Sequence, residues 1–388
     1  MTPGWTPAFA GVTYFPVIPT QAGIQTEASL QMPFASGYFR TTYARDIRLV
    51  DTRTQVASLL VFVALLAAFP FFASAFLLDL ANQFFLASIG AVALMLLTGY
   101  AGQVSLGHAG LLAAGAFTVG ILVKEVNAPF WVTVPAAAAV GALLGVVFGL
   151  PSLRLRGLYL AVSTLALYFV VAYVGSEYET QRGFSTGIVV DPPALGPLTV
   201  DDPRVWYLVL FAAAAATVVL CLNLLRARSG RAWRAIRDHE TVAEALGINV
   251  PAYKLAAFVV SSALTAVAGA LFAYYRGFVS VEAFSLFLSI QYVAMVIIGG
   301  MGSILGAVLG AAFVTLFPYA IEALIASLPT PERYANLVFA VNYAAFGLVM
   351  VLFLLFEPEG LVGIWRRVRD WFLLWPFRQR PLAGTKSR

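Results

Sequence analysis

The spacing of the charged residues constrains this chain more than any other feature. Asp, Glu, Lys and Arg make up 11% of its 388 residues and leave eight long uncharged stretches. These cover 54–78, 80–123, 126–153, 157–176, 205–225, 255–275, 283–321 and 334–356. A helix needs about 20 apolar residues to cross the hydrocarbon core of a bilayer. The stretches of 44 and 39 residues, 80–123 and 283–321, therefore hold two spans each, and the other six hold one. The expected fold is all-α: a polytopic integral membrane protein of about ten transmembrane helices. A barrel would instead alternate polar and apolar residues over about ten-residue segments. With 61% hydrophobic residues the chain is neither a soluble domain nor a disordered one. Its one cysteine, Cys221, excludes an intrachain disulfide framework.

The two long stretches should break where glycine and polar residues gather, at Gly99 to Gly107 and at Gly299 to Ser303. Ten spans put both termini on one side, together with 32–53, 99–106, 151–157, 226–254, 299–303 and 357–388. These segments hold 19 of the 24 Lys and Arg residues, a bias that assigns their side, and both termini, to the cytoplasm. The pI of about 9.3 is then accounted for by these loops rather than by a nucleic-acid partner. The chain divides into an extension at 1–31, a transmembrane domain at 32–356 and a tail at 357–388.

Four features stand out within this frame. The loop 226–254 has a candidate helix start at Ser229 and a candidate stop at Gly247, with Pro251 beyond. Trp233, Ile236, Ala243 and Leu246 recur there at helical spacing. The stripe fits a helix docking into a groove on a cytosolic partner, a solvated basic loop, or a helix lying on lipid headgroups. Gly141, Gly145 and Gly149 form one glycine ladder and Gly302, Gly306 and Gly310 another, which read as close helix packing. TGYAGQVSLGHAG (98–110) gathers Gln103, Ser105 and His108 among glycines, and IIGGMGS (297–303) brings Gly299, Gly300 and Ser303. Both are candidates for pathway lining, with a plain cytoplasmic turn as the alternative. In the tail, Leu361, Ile364, Trp365, Val368, Phe372 and Trp375 share one helical face, as in an interfacial helix, with an ATPase contact as the alternative.

Some signals are absent from the sequence. It has no G-x-x-x-x-G-K-[ST] phosphate loop, no H-E-x-x-H and no cluster of metal ligands. No Asp or Glu lies near the middle of an expected span, where a proton relay would need one. A hydrolase or a self-sufficient proton-driven carrier is thus short of chemistry. No cofactor and no catalytic residue is expected.

GYAGQVSLGHAG (99–110), RGLYLAVSTLA (156–166), GRAWRAIRDHETVAEALGINV (230–250) and IIGGMGSILGAVLGA (297–311), in this order, resemble the LivM-type permeases of ABC importers for branched-chain amino acids. SGYFRTTYARD (36–46) and EPEGLVGIWRRVRDWF (357–372) fit the same subfamily. The resemblance covers about residues 33–380. It implies a transport subunit without its own ATPase site, multi-pass in a bacterial inner membrane. It also implies a second related permease, two cytosolic ATPases and a periplasmic substrate-binding protein. The loop 226–254 corresponds to the family's coupling segment, and Glu244, Ala245 and Gly247 sit where its E-A-A…G pattern falls, although Val242–Ala243–Glu244–Ala245 departs from the consensus. Related permeases carry leucine, isoleucine and valine, or urea, short amides and other amino acids.

Residues 1–31 lack Lys and Arg, and PGWTPAFAGVT…VIPTQAGIQ resembles peptide text read from bacterial intergenic repeat DNA. Translation is expected to begin at Met32, with a natural disordered tail as the alternative. The intact mass of the protein from its native host should correspond to a chain starting at Met32. Peptides from 1–31 in that material would contradict this start.

Overall fold

The computed structural model describes residues 53–374, except 154, 156, 184–186, 196–197, 200–201, 327–334 and 358. The extension 1–31 and Trp375 lie outside the described residues, as does the side chain of Phe372.

Each expected span position is helical. Helix α1 covers Arg53–Ala68 and α2 covers Ala75–Leu94, running on as a π-helical turn over Met95–Tyr100. Next come α3 (His108–Val126), α4 (Phe130–Ser152), α5 (Leu158–Arg182) and α6 (Pro203–Arg226). Two short helices follow, α7 (Arg228–Asp238) and α8 (Glu240–Ala245). The chain continues with α9 (Val250–Arg276), α10 (Leu286–Gly299), α11 (Ile304–Ala326), α12 (Ala335–Phe356) and α13 (Gly360–Leu374). Two-residue strands join loops at one end: Ile188–Val189 (β1) pairs antiparallel with Phe278–Val279 (β4), and Ala194–Leu195 (β2) with Leu198–Thr199 (β3).

Among the described residues, eight helices are long and apolar enough to cross a membrane. A ninth is made if Tyr343–Phe356 and Gly360–Arg369, bent by 55°, count as one span. Helix α1 has 16 residues, short of the usual span length. Asp79, which bounds an uncharged stretch in the sequence, lies one turn inside α2. Its carboxylate accepts hydrogen bonds from the Tyr275 hydroxyl and from Gln83 Nε2, so polar partners from α9 and from its own helix meet it there.

Helices α2 and α3 form the centre. The membrane-spanning windows of α2 and α3 are 78% and 67% buried, against 28% for each of α4, α5 and α6. Helix α9 packs along both α3 and α4, and glycine makes the second contact possible. A Cβ on Gly141 would sit 2.6 Å from the Ser262 carbonyl oxygen, and one on Gly145 would sit 3.0 Å from Val259 Cα. On Gly149 it would lie 2.8 Å from Leu255 Cδ1. The first ladder is therefore one continuous face against α9, where backbones approach without side chains between them. In the second ladder, Gly306 and Gly310 abut the end of α10. Gly302 does not share that face, because it precedes α11 in a turn with φ +85°.

These contacts separate two leucine substitutions. Gly145→Leu overpacks the α4–α9 seam and should cost about 1–3 kcal/mol. Gly347→Leu, on α12 with nothing within 4 Å of a Cβ, should stay within about 0.5 kcal/mol. Thermal unfolding in detergent checks this; equal melting temperatures for the two variants would contradict it.

Candidate functional site

Segment 227–249 folds as two short helices meeting at His239, whose extended backbone (φ −152°, ψ 100°) interrupts them. Gly247, at φ +84°, closes the second: its N–H donates to the Glu244 carbonyl at 2.9 Å, and the Ile248 N–H to the Ala243 carbonyl at 3.1 Å. Only a residue tolerant of the left-handed region ends a helix this way. Pro251 belongs to the first turn of α9, where Asn249 Oδ1 accepts from the Ala252 N–H at 3.2 Å. Ser229 does not cap α7; its hydroxyl donates to the Leu224 carbonyl at 3.1 Å.

Helix α7 is fastened to its neighbours along its buried face and at its start, while Arg228, Arg237 and Asp238 are exposed. Trp233 is 1% exposed and donates through Nε1 to the Tyr253 carbonyl of α9 at 2.8 Å. Arg234 Nη2 donates to the Leu225 carbonyl at 3.1 Å, and Arg231 Nη1 to the Arg226 carbonyl at 3.0 Å. These cations thus cover the last carbonyls of α6, which the helix leaves unpaired. Helix α8 is held through Lys254 Nζ to Glu240 Oε1 at 2.9 Å. Ile236, Ala243 and Val250 make a small apolar cluster beneath both helices.

The apolar stripe read from the sequence therefore divides. Trp233, Ile236 and Ala243 are buried within the chain itself, which corrects their reading as part of a partner-docking face. The break at His239 turns α8 so that Ala243 faces inward while Val242 and Leu246 face out, 54% and 76% exposed. Glu244, Ala245 and Gly247 share that exposure. Apart from buried Ala243, residues 242–247 form an exposed rim at the end of α8.

The glycine-rich segments meet this hub from the other side. Helix α3 starts inside the bundle: the Ala109 N–H donates to Ser289 Oγ of α10 at 2.9 Å, and Gly107 abuts Thr164 of α5. Residues 101–107 are not helical and run from the neighbourhood of Lys254, at the start of α9, to that interior point. Several of their polar groups are met within the protein, although the buried Ser105 hydroxyl has no hydrogen-bond partner among the described residues. Gln103 Nε2 donates to the Lys254 carbonyl at 3.0 Å, the Thr98 hydroxyl to the Gln103 carbonyl at 3.1 Å, and the Leu106 N–H to Thr164 Oγ1 at 2.9 Å. Irregular backbone at this depth is stable only under such cover.

Gln103, Ser105 and His108 are 4%, 2% and 1% exposed. The His108 ring lies 4.6 Å from that of Tyr292, centroid to centroid. Ser105 and His108 are thus enclosed rather than on an open wall, which runs against the pathway-lining expectation for them, whereas Gln103 borders a cavity beside Lys254. In 299–303, Gly299 and Gly300 are also buried. Gly299 lies against the Gly306 backbone, and Gly300 against Glu359 and Gly360 at the start of α13. Ser303 caps α11, its Oγ accepting from the Gly306 N–H at 3.3 Å. A cavity of about 120 Å³ lies beside Gln103, lined in part by Gly102, Gln103, Ser152, Leu160, Glu240 and Lys254.

One residue that the sequence reading passed over joins all three segments. Arg237 Nη1 donates to the Gly99 carbonyl. The same nitrogen lies 2.7 Å from where a Cβ on Gly302 would be, and a Cβ on Gly102 would lie 3.4–3.5 Å from the Arg237 stem. Beside it, the Gly302 N–H donates to Met95 Sδ at 3.3 Å. The signal in the sequence was an arginine every third position, at 228, 231, 234 and 237, along a helix too short to need so many for solubility.

The arrangement is a mechanical junction with an exposed rim, and comparison with known proteins gives it a family. A family model described as branched-chain amino acid transport system / permease component matches residues 76–354. The chain belongs to this family. It is 31% identical over 340 residues to the high-affinity branched-chain amino acid transport system permease protein LivM of Salmonella typhimurium, covering 81% of this chain and 77% of that protein. LivM of Escherichia coli matches to the same extent. The probable LivM of Methanocaldococcus jannaschii is 27% identical over 234 residues, 58% of this chain and 66% of that protein. No solved structure matches. With its apolar helices, the family member described here is a multi-pass membrane protein.

The two sides of the junction should respond differently to truncation. Trp233→Ala removes a buried ring and its hydrogen bond, costing about 3–5 kcal/mol. Leu246→Ala, on the rim, should cost less than about 0.5 kcal/mol. Chemical or thermal unfolding in detergent checks the contrast, and a stable Trp233→Ala would contradict the packing.

Proposed function

We propose that this permease is one subunit of an ATP-driven importer and encloses, with a second related permease, a pathway for leucine, isoleucine and valine. The observation that carries the reading is the likeness to LivM over 81% of the chain, spanning both glycine segments and the junction. The 242–247 rim is the surface against which one of two cytosolic ATPases docks, which sets the rim, the junction and both termini on the cytoplasmic side of a bacterial inner membrane. A periplasmic binding protein delivers the amino acid to the opposite end. The chain carries no ATPase site of its own.

The mechanism follows from the rigidity of the junction. Trp233, Arg234 and Lys254 fasten α7 and α8 to the ends of α6 and α9, so closure of the ATPase dimer moves those helices with the docked rim. Pathway access then shifts between two packings as a change in populations. Smooth glycine faces on α4 and α11 let helices slide without side chains unlocking. Helix α13 lies at the headgroup level: Ile364, Trp365, Val368 and Trp371 are 38–58% exposed, and tryptophan favours that depth.

Deleting the chain from its native host should abolish high-affinity uptake of radiolabelled leucine, with isoleucine and valine competing and urea or short amides failing to compete. Val242→Asp with Leu246→Asp should still insert but lose the co-purifying ATPases, since buried apolar anchors are worth about 2 kcal/mol or more each. Unimpaired leucine uptake in either strain would contradict the reading, and competition by urea alone would move the substrate class.

A further inference from the structure

We propose that Arg237 is the positioning residue that transmits movement of the ATPase-docked helices to both broken segments of the bundle. The assignment rests on the permease reading above and adds a specific route to it. The side-chain links of Trp233, Arg234 and Lys254 tie α7 and α8 to helices adjacent in sequence to the loop, α6 and α9. Those links move the two helices that the loop already joins covalently. The bond from Arg237 to Gly99 crosses 138 positions of sequence and reaches the C-terminal end of α2, in the centre of the fold.

The chemistry at that end suits a guanidinium. The π-helical turn Met95–Tyr100 leaves carbonyls unpaired where α2 ends, and a cation there meets both the free oxygen and the negative end of the helix dipole. The guanidinium has further donors, and the nitrogen that holds Gly99 also faces Gly302, the turn entering α11. A side chain at Gly302 would occupy the space this nitrogen uses, and a Cβ at Gly102 would come into contact with the arginine stem. The Gly99 carbonyl and the faces of Gly102 and Gly302 thus border one side of the exposed arginine. Through Gly300 and Gly360, the same turn contacts the start of α13. Displacement of α7 therefore reaches the end of α2, the non-helical run into α3 and the start of α11 together. A plain helix cap would need only the Gly99 contact.

The test uses the importer complex isolated from its native host through the full-length chain and reconstituted in vesicles. Arg237→Ala should lower leucine taken up per ATP hydrolysed about tenfold, the loss expected for one charge-assisted hydrogen bond, while ATP hydrolysis itself stays near wild type. Arg237→Lys keeps a cation but not the planar fork and should give an intermediate ratio, which guards against a misfolded alanine variant. Spin labels at Asp238 and Met301, both exposed, report whether helix and turn move as one body. Their separation should be the same with and without ATP in the wild type and should change with ATP in Arg237→Ala. A wild-type uptake ratio in Arg237→Ala, or a separation that already shifts with ATP in the wild type, overturns the role of Arg237 alone. A wild-type complex without ATP-driven leucine uptake overturns the permease reading beneath it.

Discussion

Inside a bilayer no water is available to satisfy a backbone N–H or carbonyl, and the rest of this structure depends on meeting that constraint within the chain. Helices satisfy it by themselves. The non-helical run 101–107 meets it in part through the Thr98 and Thr164 hydroxyls and the Leu96 and Leu97 carbonyls, all drawn from helices beside it. The turn at 300–303 meets it through Ser303, Met95 and the end of α10. Both irregular segments exist because α2 and α3 are enclosed by the other helices, and that enclosure rests on glycine faces that let backbones touch.

This gives the buried polar residues a different role from the one their composition implies. Gln103, Ser105 and His108 occur among glycines next to apolar spans, a pattern that fits a solute path and a buttressed chain break equally well. The burial of Ser105 and His108 fits the break, while Gln103 borders a cavity. The same physics concentrates the exposed, adaptable surface elsewhere, on the rim from Val242 to Gly247. There the helix ends in a glycine cap, and the opposite faces are fastened to α6 and α9.

The helical architecture was legible because a lysine, arginine or carboxylate in hydrocarbon is costly, so charges mark the ends of spans. Asp79 escaped that rule: Tyr275 and Gln83 supply its hydrogen bonds one turn inside α2, a tertiary fact with no local trace. Periodicity correctly gave Trp233, Ile236 and Ala243 a buried face but could not say whether the burying surface was a partner or the chain itself. The ladder at 141–149 was readable because a three-residue gap on one helix is geometry fixed by sequence. Gly302 was not, because its helix starts two residues later. The bond from Arg237 to Gly99 joins residues 138 positions apart, beyond any pattern along the chain.

In the proposed function an ATPase sits against the exposed rim, while the opposite face of the α7–α8 unit is buried within the permease. Site-directed cross-linking tests this most directly, because the single native cysteine, Cys221, is buried and silent. In native membranes, a short bis-maleimide on Leu246→Cys should join this chain to an ATPase subunit, while Trp233→Cys should stay unlinked. Capture of the ATPase from position 233, or none from 246 in a complex that still imports leucine, would contradict the account.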